Sequence, residues 1–333
     1  MTGKHYKLLS TFFLCFYLCS CNNLKNQRTE DTISTSSNSS DLETKYPKIP
    51  DSQSYYNSPE VKKVVDTLEQ RFKADFKTFI NDIKIAHAKL YVCYITSETG
   101  RSLTVCERKE QPFFEKLCND ENIPFIDFTE VFKNFAPKEI TFMPLDGHFN
   151  KKGASLIADR LSSIIEENAG YKSDITYPAS SRSALLGDQE PAIDKIVEEK
   201  KGLPYRLITN DQGLRMTGNV EFPKTKQHLL FMGDSEMFFA GLDNGQSATG
   251  LLEKKYPDKD IMNAAKWAYT IDDELFEWQE RSKYSEPDII FLQITGEGIT
   301  NLFFSYKLKF HRQGSKRDYN PTPIELKYYQ DMK

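Results

Sequence analysis

The chain has 333 residues, of which 39% are hydrophobic and 28% charged, and its net charge is −4. That length accommodates one large domain or two small ones with an ordinary polar surface. The mild acidity and the scattered lysines form no basic stripe, so nothing points to a nucleic-acid partner.

In chain order, Lys4 and Lys7 precede an apolar run over residues 8–18, the pattern of a secretory signal. The run is shorter than the ~20 residues a membrane-spanning helix needs. It ends in Leu18-Cys19-Ser20-Cys21, which resembles a bacterial lipobox with Cys21 as the residue to be acylated. A plain signal peptide over 1–21 with incidental cysteines is the alternative. Acylation of Cys21 implies a protein anchored to a membrane of the cell envelope, periplasmic or surface-facing, without spanning it. Residues 22–58 are rich in Ser, Thr, Asn, Asp and Pro and lack apolar periodicity, so they read as a flexible tether.

Residues 59–86 read as a helix, with Val61, Val64, Val65, Leu68, Phe72, Phe76, Phe79, Ile80 and Ile83 at three- and four-residue spacing. A β-branched and aromatic run predicts a strand over 88–95, followed by a helix over 113–119 and a strand over 124–128. A second amphipathic helix covers 154–167. Residues 169–202 read as a linker, opened by Tyr177-Pro178-Ala179-Ser180-Ser181 and continued by charged residues. From residue 203 onward, strands are expected over 228–232, 260–263 and 288–294, with helices over 247–256 and 272–283. Strands alternating with helices predict an α/β fold, a five-stranded parallel sheet covered on both faces. Two strands lie in 59–168 and three in 203–333, so neither half makes a comfortable domain alone.

Besides Cys21, the chain beyond the signal holds Cys93, Cys106 and Cys118. Cys106 and Cys118 could pair in an oxidising compartment, whereas Cys93 lies in an apolar run and reads as core. No spacing resembles a zinc site, and the reading calls for no metal and no cofactor.

Two runs carry the chemistry. Leu229-Leu230-Phe231-Met232-Gly233-Asp234-Ser235-Glu236 drives an apolar strand into a sharp turn that would expose a serine hydroxyl. Leu145-Asp146-Gly147-His148-Phe149-Asn150-Lys151-Lys152-Gly153 places an acid and a histidine just ahead of a helix. Ser235, His148 and Asp146 are the nucleophile, base and orienting acid of a hydrolytic triad, whose members need only meet in space.

At these residues the chain resembles the SGNH (GDSL) hydrolases, flavodoxin-like three-layer α/β/α enzymes that hydrolyse or transfer acyl groups. Gly233-Asp234-Ser235 matches the family's serine block. Asn210-Asp211-Gln212-Gly213-Leu214-Arg215 resembles its secreted members' lead-in. Met262-Asn263-Ala264-Ala265-Lys266-Trp267-Ala268 resembles the second block with both glycines replaced by alanine. The resemblance makes the backbone N–H groups of Ser235 and Ala268 oxyanion donors, the latter provided that position 268 needs no positive φ. In the third block Glu297 stands where the family has an asparagine, and an ionised carboxylate has no hydrogen to donate. A protonated Glu297, or Asn301 reaching in, could restore that donor. The fourth block, Asp146-Gly147-His148, has the Asp-x-His spacing of the alginate acetyltransferase-like branch.

The family's last block precedes its first here. A circularly permuted domain, cut between the third and fourth strands, accounts for this; two halves completing each other in a swapped homodimer is the rival. The resemblance implies a lipid-anchored esterase or O-acyltransferase acting on acylated carbohydrate or lipid. The alternative is a catalytically impaired relative that binds glycan or scaffolds an envelope complex.

Overall fold

Leu68, Phe72, Phe76, Phe79, Ile80 and Ile83 recur every three or four residues. In the computed structural model, which describes residues 59–95, 105–199 and 201–295, all six are buried along one face of helix α1 (Pro59–Ile85). Strand β1 (Lys89–Tyr94) follows, then α2 (Val105–Asp120), β2 (Phe125–Asp127), the short helices α3 (Thr129–Phe132) and α4 (Pro137–Ile140), and α5 (Lys151–Glu167). A hairpin of β3 (Asp194–Val197) and β4 (Tyr205–Ile208) comes next. After it come β5 (Gln227–Met232), α6 (Ser235–Phe238), α7 (Ala248–Lys255), β6 (Lys259–Asn263), α8 (Ile271–Glu280) and β7 (Ile289–Ile294).

Five strands form one parallel sheet in the order β2-β1-β7-β5-β6. Counted from β5 through β7 and then on to β1 and β2, the order is 2-1-3-4-5, the flavodoxin-like arrangement. The two halves meet at β1 and β7, paired from Lys89↔Ile289 to Tyr94↔Ile294 within a single chain. Central strands β5 and β7 are buried at every residue, as a parallel strand covered on both faces must be. Alternate side chains divide between two cores. Leu230, Met232, Ile290 and Leu292 pack with α1, α2 and α8, while Leu229, Phe231, Ile289 and Phe291 pack with α5, α6 and α7. The result is a three-layer α/β/α fold.

Residues 169–202 depart from the expectation of a linker. They contain β3, which pairs antiparallel with β4, and they are fastened from the amino ends of β5 and β7 to the loop after the carboxyl end of β6. The Ser173 and Tyr177 amides donate to Asp288 and Glu286 at 2.7 and 2.8 Å, and Arg182 pairs with Glu286 at 2.6 Å. Further on, Asp188 accepts from Lys266 Nζ and Tyr269 Oη, each at 2.6 Å. Asp288 is the hub of this seam. It is fully buried and accepts from the Ser173 and His228 amides and from Lys224 Nζ, the last two at 2.8 Å. Asp288→Ala leaves three donors, one of them an ammonium, without their acceptor. The expected cost is about 3–5 kcal/mol, read as a lower denaturant midpoint; an unchanged midpoint contradicts the assignment.

Cys93 is buried in the core as its apolar run indicates, and Cys118 is likewise a buried free thiol, not half of a disulfide. Burial pushes the Cys118 thiol up to about 12, with Glu115 adding to the shift, which makes it inert. No helix among the described residues is long and apolar enough to cross a membrane. The leader and tether, with Cys21, and the side chain of Cys106 lie outside the described residues, as do Glu297 and Asn301.

Candidate active site

Ser235 stands at the carboxyl end of β5, where the strand order reverses between β5 and β7, the place where ligands bind in open α/β sheets. The turn that exposes it needs glycine. Gly233 has φ +149°, and a Cβ there would lie 2.3 Å from Gln293 Oε1 on β7. That same oxygen accepts the Asp234 amide at 2.9 Å. Asp234 then caps α6, its carboxylate accepting the Glu236 amide at 2.9 Å. Arg215, from the lead-in run, is buried beneath α6. It donates to the carbonyls of Phe238, Phe239 and Leu242, which closes the helix's far end. Burial lowers its pKa to about 10, so it keeps its charge at neutral pH.

The Asp146–His148 loop is clamped between α4 and α5. Asn150 caps α5 by accepting from the amides of Lys152 and Gly153 at 2.9 and 3.2 Å, and its Nδ2 donates to the Thr141 carbonyl at 2.8 Å. Phe149 is buried against Phe132, with ring centroids 4.9 Å apart. At Gly153 a Cβ would meet the Ile140 carbonyl at 2.3 Å. The motif's Phe, Asn and Gly therefore have packing and capping reasons, and they hold the Asp-x-His pair at the helix entrance.

From these opposite halves the side chains converge. His148 Nε2 lies 2.9 Å from Ser235 Oγ, and His148 Nδ1 lies 2.5 Å from Asp146 Oδ1. Asp146 Oδ1 also accepts the His148 amide at 2.8 Å, which fixes the carboxylate relative to the ring. The His148 side chain is 21% exposed and that of Asp146 is 11% exposed, so the site is shielded but open to a substrate. Burial alone pushes the imidazole down. The hydrogen bond to Asp146, then the charges of Glu236, Asp146 and Asp234, outweigh it and carry the pKa up to about 9. Behind Ser235, Glu274 is held well above the carboxylate range by burial and by Glu277, Asp273 and Asp234.

The second block folds around Asn263, which is fully buried. Its Nδ2 donates to the Met237 carbonyl and to Thr249 Oγ1 at 3.1 and 3.0 Å, and its Oδ1 accepts the Ala265 amide at 3.0 Å. Position 268 corrects an expectation: Ala268 has φ +57°, so a left-handed backbone is adopted there with a Cβ present. A left-handed alanine costs ~1–2 kcal/mol, offset in part by the extra chain entropy glycine would lose. Ala268→Gly is therefore expected to raise stability by about 0.5–1 kcal/mol in denaturant unfolding; a loss would show that the strain is absent. Beside it, Trp267 sets its ring 5.3 Å from the His148 ring, a contact that no sequence signal marked. Among the described residues, no group of three or more His, Cys, Asp or Glu converges as metal ligands would.

No protein-family model and no curated protein matches the sequence. Solved structures similar to the fold include the O-acetyltransferase domain of Pseudomonas putida AlgJ, at 12% identity and a TM-score of 0.45, over 80% of this chain and 91% of that one. Another is Bacillus cereus PatB1, at 10% identity and a TM-score of 0.40, over 70% of this chain and 90% of that one. The PatB1 structure with a sulfonyl adduct is similar at 11% identity and a TM-score of 0.39, over 71% and 88%.

Proposed function

We propose that the chain is a serine esterase or O-acyltransferase of the SGNH type, working through an acyl-serine intermediate. The observation that carries the reading is the continuous Ser235–His148–Asp146 hydrogen-bond line inside one chain, 2.9 and 2.5 Å long. Neutral His148 takes the Ser235 hydroxyl proton on Nε2 as Oγ attacks the ester carbonyl carbon, and Asp146 stabilises the imidazolium. The tetrahedral oxyanion collapses, the ester C–O bond breaks, and His148 returns the proton to the departing alkoxide. A water or an acceptor hydroxyl then gives His148 its proton, attacks the acyl-serine and releases Ser235. Backbone N–H groups of Ser235 and Ala268 are the oxyanion donors in this scheme.

The reversed order of the blocks is read as a circular permutation. The 2-1-3-4-5 order counted from β5 supports it, with residues 169–202 joining the ancestral termini. The lipobox-like run supports an acyl-anchored enzyme of the cell envelope acting on acylated carbohydrate or lipid. Glu297 favours a second reading, an impaired relative that binds glycan or scaffolds an envelope complex. Hydrolysis of a short-chain activated ester by the wild type and by Ser235→Ala separates the two. A Ser235-dependent rate supports the enzyme, and equal rates end it.

A further inference from the structure

We propose that Trp267, set between the His148 ring and Phe238 of α6, is the positioning residue that steadies the His148 imidazole between Asp146 and Ser235. The inference rests on the triad reading and gives a residue outside both triad-bearing runs a part in the site. His148 is held at one ring atom by Asp146, meets Ser235 at another and is tied to the backbone through Cβ, so what remains is a rocking of the ring on its hydrogen bonds. A contact from the side limits that rocking. The Trp267 ring supplies it, with its centroid 5.3 Å from the imidazole and an interplanar angle of 54°. Trp267 in turn lies 6.3 Å from the Phe238 ring on α6, the helix that Ser235 begins. One indole therefore touches both the base and the nucleophile's helix.

Through Arg215 the β3–β4 hairpin reaches the Phe238 ring on which the indole rests. Tyr205 is 2% exposed, and its hydroxyl donates to Glu199 in the hairpin's turn. Burial, then the hydrogen bond and the charge of Glu199, push that hydroxyl's pKa up. Arg215 lies over both the Tyr205 and Phe238 rings, at 5.5 and 4.6 Å. The hairpin is itself docked on the segment between α6 and α7. The Arg206 amide donates to Asp243, the Ile208 amide to Asn244 Oδ1, and Asn244 Nδ2 returns a bond to the Ile208 carbonyl at 2.7 Å. The ionisable groups facing His148 are Asp146, Glu236, Asp234 and, across the hairpin, Glu199.

An aromatic ring within about 6 Å of a cation stabilises it, so the contact favours the imidazolium as well as its orientation. The test uses the full chain and follows the His148 ring protons by NMR through a pH titration, alongside ester hydrolysis. Trp267→Ala is expected to lower the His148 midpoint by about half a pH unit. It should also lower kcat by about tenfold or more while KM stays within about twofold. Trp267→Phe restores most of both. Trp267→Leu, apolar but without an aromatic face, is expected to shift the His148 midpoint and kcat as the alanine variant does. An unchanged titration and kcat in Trp267→Ala overturns the inference, as does wild-type behaviour in Trp267→Leu. If Trp267→Ala does not fold, Trp267→Leu and Trp267→Phe decide by the same readouts. The titration needs no turnover, so a wild type without Ser235-dependent hydrolysis ends the enzyme reading while the midpoint shift still judges the role of Trp267.

Discussion

Ser235→Ala is expected to reduce the hydrolysis of a short-chain activated ester by about 10⁴-fold or more, His148→Ala by a similar factor, and the double variant by no more than either alone. The non-additivity is the informative part. With His148 Nε2 2.9 Å from Ser235 Oγ, the proposed mechanism has the histidine act only by moving that hydroxyl's proton, so once the hydroxyl is gone the base has nothing to act on. Losses that multiply would mean the two side chains act on different events, and the hydrogen-bond line would be a structural contact. Neither substitution opens a large cavity, because both replaced side chains are partly exposed. Steady-state kinetics on folded variants therefore report chemistry rather than stability.

The second large effect is on pH. With the His148 pKa up at about 9, only about one molecule in a hundred carries the neutral base at pH 7. For the free enzyme kcat/KM should climb about tenfold per pH unit from pH 6 toward pH 9 and then level, a rise of about a hundredfold from neutrality. Glu236→Gln removes the strongest of the charges holding the imidazolium and should move the profile's midpoint downward. The same group acts on stability with a definite sign. Its folded pKa lies above the usual 6.5, so its contribution is fully present below that value and is lost as pH rises from about 6.5 through about 9. Activity rises across the window in which this stabilisation fades. A profile that levels near pH 6.5 would show that the three carboxylates around His148 do not hold its proton.

Much of this site was legible because its parts obey local rules. The apolar run ending in Gly233-Asp234-Ser235 had to become a strand, a glycine turn and a capped helix. Asn150 and Gly153 announced a helix start that the structure places at Lys151, three residues before the expected 154. What escaped the sequence escaped for physical reasons. Strand β3 has three exposed residues of four and no apolar alternation, so its pairing with β4 leaves no local trace. Helix α2 begins at Val105 and runs through Pro112, eight residues ahead of the expected start at 113. The positive φ at Ala268 depends on how its loop closes over Gly233, where Lys266 donates its amide to the Gly233 carbonyl at 3.0 Å. Trp267 sits in a run whose asparagine and alanines, not its indole, carry the resemblance. Its role depends on a histidine more than a hundred positions away, and no periodicity encodes that distance.

The central claim is that Ser235 from the second half and His148 from the first form one site within one chain. Co-refolding Ser235→Ala with His148→Ala tests it directly. Sites built within single chains leave the mixture as inactive as its parts, which is the result expected here. In a swapped homodimer, mixed pairs would rebuild one intact site each and return about a quarter of the wild-type rate, and that recovery would contradict the account.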